Sequence, residues 1–157
     1  MTLAELSDLS QALGAVAVVA SLIFVGIQIR QNTAATRAAS HNAVSASLNE
    51  INRMFAESAE LSKIWLAGMA DRDALTAEER WRFDATARAY MHVCETMYIQ
   101  AGLGVGDKGI LRAEEDGLRR VLAAPGFRAW WTENPFGFCA EFRGYVADLA
   151  PAAEATH

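Results

Sequence analysis

From Ala12 to Ile29 the sequence reads ALGAVAVVASLIFVGIQI, an apolar run broken only by Ser21 and Gln28. As a helix this run rises about 27 Å, enough to cross a hydrocarbon core of about 30 Å when flanking residues snorkel. So long an apolar surface has to be covered, either by lipid or by protein. The first reading is a single transmembrane helix over 12–29. The alternative is a central helix buried on all sides in a soluble bundle, where it could border a pocket for a small apolar or metal ligand. The leading residues MTLAELSDLSQ are acidic where a secretory signal is basic, so a cleaved signal peptide is not expected.

Charge is placed asymmetrically about this run. All 14 Lys and Arg lie at or beyond Arg30, while the first 29 residues carry only Glu5 and Asp8. Basic residues flanking a span stay on the cytoplasmic side. Arg30 and Arg37 therefore predict a short extracytoplasmic tail over 1–11, a span over 12–29 and a cytoplasmic helical domain over 30–150, with 151–157 as a disordered tail. In a bacterium this places the protein in the inner membrane with its N-terminus out. The net charge of −5 gives no clustered basic surface for nucleic acid. Cys94 and Cys139 stand far apart and form no CxxC or Cys/His cluster, which reads as two free thiols in a reducing compartment, with one disulfide as the alternative.

Beyond the run, the pattern is helical throughout. No Gly or Pro occurs between Ile27 and Ala67, so nothing in the sequence stops the first helix where it leaves the apolar region. A stripe through Leu13, Val16, Ala20, Ile23, Ile27, Ala34, Val44, Leu48, Ile51 and Phe55 follows three-four spacing, with Arg30, Arg37 and His41 in the same register. It fits packing against the chain's own later helices better than the seam of a homo-oligomeric coiled coil, which the polar positions weaken. A short helix is expected over 59–69 and a loop at ADRDAL. Thr76 with Glu79 forms a capping box opening a helix that should run to about Ala101, with Phe83, Ala87, Tyr90, Cys94, Met97 and Ala101 on one face. The glycines of GLGVGDKG suit its C-cap. Further helices follow in ILRAEEDGLRRVLAA, GFRAWWTEN and FCAEFRGYVADLA. No stretch alternates as a strand does, and the expected class is all-α: a long N-terminal helix packed with a small helical bundle.

Little in the chain reads as chemistry. His92 and Glu95 share a helix face, as metal ligands on bundle helices do, yet a di-metal site needs further carboxylates and a second such pair, and the only other internal histidine is His41. These three are weak metal candidates beside the plainer reading of a polar helix edge, and for His41 a packing histidine. Cys94 lies on an apolar stripe with no base or oxyanion hole in sight, so it reads as core. GLGVGDKG lacks the preceding strand, and Gly109 rather than Ser or Thr follows its lysine, which excludes a phosphate loop. No catalytic residue and no cofactor is expected.

The densest feature is PGFRAWWTENPFGFCAEFRGY. Part of it should be core, and the remainder an interaction surface for a membrane interface, a protein partner or a second copy, with Phe127, Arg128, Trp130, Trp131, Phe142 and Arg143 as anchors. Together with LIFVGIQIRQNTAATRA, SAELSKIWLAG and LTAEERWRF, the terminal PGFRAWW…EFRGYV resembles a widespread family of small bacterial proteins with one N-terminal hydrophobic helix. The likeness spans Leu13 to Val146. It implies an architecture of hydrophobic helix, helical body and aromatic C-terminal region, and it implies no activity. The GLGVGDKG connector departs from it, since an acidic loop belongs there. The expected function is that of a membrane-tethered accessory or scaffold protein acting by protein–protein contact, without catalysis.

Overall fold

A computed structural model describes the backbone of residues 3–106 and 108–150, and the side chains of Gln11 and of the residues from Leu13 onward within that range. Among the described residues the structure is all-α. Its six helices are α1 (Leu3–Glu57), α2 (Ala59–Ala70), α3 (Ala77–Gly102), α4 (Lys108–Ala123), α5 (Pro125–Glu133) and α6 (Ala140–Leu149). The expected tail over 151–157 and the side chains of 1–10 lie outside the described residues. Contacts divide the chain into two units, one ending at Ala39 and one beginning at Ser40.

The first unit is helix α1 up to Ala39. With no glycine after Gly26 and no proline, nothing interrupts the helix over this stretch. Ser21, Thr33 and Thr36 donate their hydroxyls to the carbonyls of Ala17, Ile29 and Asn32 at 2.8–2.9 Å. These bonds satisfy the hydroxyls inside the helix itself.

The second unit begins with the remainder of α1. Val44 and Ile51 are buried in the bundle and Leu48 packs beside them, so this part of the predicted stripe meets the chain's own later helices. His41, expected at a packed position, is instead exposed. The packed stripe starts one turn later, at Val44. Helix α1 ends without glycine or proline: Ser58 breaks it by leaving helical geometry and capping α2, its hydroxyl accepting the Leu61 N–H at 3.1 Å.

Helix α3 is central, touching α2, α4 and α6. The Thr76–Glu79 capping box forms as expected, with Glu79 accepting the Thr76 N–H at 2.9 Å. These bonds hold the exposed Glu79 carboxyl below its usual range. Phe83, Ala87, Cys94, Met97 and Ala101 are buried, and Met91 and Thr86 join them. Gly104, at φ 73°, supplies the left-handed residue that ends the helix, and the N–H groups of Val105 and Gly106 cap the Gln100 carbonyl at 3.1 and 2.8 Å. Leu118 and Leu122 from α4, Phe127 and Trp130 from α5, and Phe142, Val146 and Leu149 from α6 complete one core.

Candidate functional site: the exposed apolar helix

Side chains of α1 from Leu13 to Ile29 are exposed on all faces of the helix. Leu22 is 66 % exposed and Phe24 60 %, and no residue of the most apolar stretch is buried. It is a helix long and apolar enough to cross a membrane, lying near the N-terminus. Water does not tolerate a contiguous apolar surface of this length on an isolated helix, because solvating each side chain costs about 1.5–3 kcal/mol relative to burial.

The polar candidates are occupied structurally. His92 Nδ1 lies 3.3 Å from Glu95 Oε2, and the imidazole stacks on Phe138 with ring centroids 4.6 Å apart. The other Glu95 oxygen accepts the Cys139 N–H at 2.7 Å, at the start of α6. The pair thus pins the α5–α6 connection to α3. Among the described residues no group of three or more His, Cys, Asp or Glu gathers as a metal site requires, and the exposed His41 stands apart from the His92–Glu95 pair in the sequence register. A shallow groove between α1 and α3 is lined by Ala43, Val44, Ser47, His92, Val93 and Thr96.

Both cysteines are free. Cys94 is buried, and burial pushes its thiol up to about 12 against an opposing hydrogen bond from Tyr90. Burial likewise holds Tyr90 well above its ordinary range. Tyr145, burying its ring and hydrogen-bonded to Glu115 at 3.0 Å, is raised for the same first reason. A thiol and phenols kept neutral in this way are packing groups rather than nucleophiles.

The aromatic region requires a correction. Phe127, Trp130 and Phe142 were expected as surface anchors, yet all three are fully buried. Each lies on the inward face of a short helix, where Phe127 meets Trp65, Phe83 and Tyr90 and Phe142 meets Tyr98 and Phe138. Trp131 is half-buried against Phe138 and Phe142, while Arg128 and Arg143 are exposed. Aromatic density reflects the small size of α5 and α6: nine- and ten-residue helices need large rings to bury enough area.

Arg72 was read only as part of a loop and proves to be buried. Its Nε and Nη2 donate to both oxygens of Asp84 at 2.8 Å, and Nη1 donates to Glu133 at 2.6 Å. The Asp84 bonds keep the guanidinium charged well above its ordinary range despite burial. No sequence periodicity points to this clamp, whose partners lie on α3 and α5. Leu103 and Ile99 are exposed large apolar residues, and the setting of Leu103 between the glycines of GLGVG is the one sequence signal for them.

Among the described residues, the fold and this site define an all-α protein with one candidate membrane-spanning helix. No protein-family model, curated protein or solved structure matches the chain.

Proposed function

We propose that the protein is a membrane-tethered helical accessory or scaffold protein, with residues 12–29 in the bilayer and the bundle on the cytoplasmic face of a bacterial inner membrane. The observation that carries this reading is the uncovered apolar surface of α1 from Leu13 to Ile29. Lipid tails solvate such a surface, and the one hydroxyl within it, on Ser21, is satisfied by the Ala17 carbonyl. Orientation follows from Arg30 and Arg37 on one flank and from the lack of any Lys or Arg before Arg30 on the other.

The bundle acts by contact, with a protein partner or a second copy, rather than by catalysis. Support comes from the polar groups: Glu95 is used by the α6 backbone, Cys94 is buried, and Arg72 is neutralised by two carboxylates. Of the aromatic region, Arg128, Trp131 and Arg143 remain reachable for such a partner.

Washing membranes with alkaline carbonate and sedimenting them without detergent tests the tether. The full-length protein is expected in the pellet, released only by detergent, and Ile23→Asp should shift it toward the supernatant. Recovery of the unaltered protein in the supernatant would overturn the reading. A C-terminal reporter fusion then reads orientation: a fluorescent cytoplasmic reporter is expected, and an active periplasmic phosphatase would reverse the topology.

A further inference from the structure

Within the second unit, the first residue and the α3–α4 turn lie side by side. Ser40 Oγ hydrogen-bonds Gln100 Oε1, and the backbone N–H groups of Val105 and Gly106 cap the carbonyl of the same Gln100. Ser40, His41, Gly106 and Ile110 also border one water-sized cavity. The chain therefore enters the bundle at the end where the turn sits, after only ten residues, 30–39, beyond Ile29.

That turn is built unlike a soluble loop. Leu103 is 72 % exposed, Ile99 one turn earlier is exposed as well, and Gly104 at φ 73° holds the chain in a tight reversal that presents Leu103 outward. Its charges are cationic: Lys108 and Arg112 are exposed at the start of α4, and Asp107 is the only acid between residues 96 and 113. The opposite end of α3 is of mixed charge, with Asp73 and Glu78 ion-paired to Arg80 and Arg82.

We propose that the α3–α4 turn is a second membrane contact, in which Leu103 and Ile99 enter the headgroup layer of an anionic bilayer and Lys108 and Arg112 meet its phosphates. The proposal rests on the tether reading and deepens it. An apolar tip beside two cations suits an interfacial lipid contact, since the side chains gain burial and the charges are attracted to anionic lipid. One anchor leaves a bundle free to swing. Two fix which face it shows to the cytoplasm.

Spin labels placed on the full-length protein in phosphatidylcholine–phosphatidylglycerol vesicles test this. Single cysteines are introduced as Leu103→Cys, Ile99→Cys, Trp81→Cys and Ile23→Cys in a Cys139→Ser background, Cys94 being buried. Trp81 is the control, equally exposed at 72 % and about 33 Å along the helix axis from Leu103. The expected result is a several-fold higher ratio of oxygen to nickel-chelate accessibility at 103 and 99 than at 81, falling when phosphatidylglycerol is omitted. Lipid accessibility at 23 with water accessibility at 103 and 99 overturns the second contact and leaves the tether standing. Water accessibility at 23 overturns both. Shielding of 103 from both probes identifies a protein occupant and overturns the lipid contact.

Discussion

Gly126 of α5 rests directly on the backbone of Gly68 in α2: a Cβ built on Gly126 would fall 1.8 Å from the Gly68 carbonyl oxygen and 2.9 Å from the Arg72 nitrogen. A Cβ on Gly68 would in turn fall 2.4 Å from the Phe83 ring. Two helices thus cross at backbone contact, and no side chain fits between them. By contrast, a Cβ on Gly144 meets nothing within 4 Å, and one on Gly117 meets only ordinary contacts. Gly126→Ala should destabilise the bundle by about 3 kcal/mol or more through overpacking. Gly144→Ala and Gly117→Ala should each stabilise it by about 0.5–1 kcal/mol through helix propensity. Thermal unfolding in detergent followed by circular dichroism measures all three, and equal effects at 126 and 144 would refute the crossing.

The Arg72 clamp predicts an unequal pair of carboxylate effects. Asp84 is bidentate and mostly shielded, whereas the Glu133 side chain is 61 % exposed. Asp84→Ala leaves a buried guanidinium poorly compensated and should cost about 3–5 kcal/mol. Glu133→Ala removes a solvent-screened partner and should cost about 1 kcal/mol or less. Chemical denaturation of the two variants gives the order directly.

Cys94 makes the stability of the bundle sensitive to alkali. The unfolded thiol ionises near 9.0, and burial pushes the folded one up to about 12. The folded state therefore holds its proton longer, so this contribution is complete below about pH 9 and is lost as pH rises toward 12. Tyr90, also raised by burial, acts in the same direction at higher pH. Cys94→Ala should flatten the onset of this decline. In thiol titration at pH 8 the native protein should react at Cys139 alone, with Cys94 reacting only on unfolding.

Trp130 and its neighbours separate core from surface. Trp130 is fully buried, lies under the Arg88 guanidinium at 5.9 Å, and its Nε1 has no hydrogen-bond acceptor among the described residues. Trp130→Ala should cost about 3–5 kcal/mol. Trp130→Phe should cost less, since it removes the unpaired N–H together with some area. Arg128→Ala and Arg143→Ala should stay within about 0.5 kcal/mol, as exposed side chains do. Unfolding midpoints from tryptophan fluorescence and circular dichroism distinguish these cases.

Helix boundaries and caps were legible in the amino-acid order because they are local physics. The Thr76–Glu79 box, the glycine that ends α3 and the uninterrupted first helix each depend on residues within a few positions of one another. The apolar run of α1 was legible for the same reason: eighteen neighbouring residues settle its hydropathy without any partner. What lies between helices was not. Whether Phe127, Trp130 and Phe142 face solvent or core, whether Arg72 is a loop residue or a buried clamp, and which glycines are indispensable depend on which surfaces meet. Those meetings join residues tens of positions apart, and burial is a property of the neighbour as much as of the side chain. The chain's own order therefore specified its helices and its lipid-compatible segment, and only packing decided which aromatic rings, charges and glycines hold the bundle together.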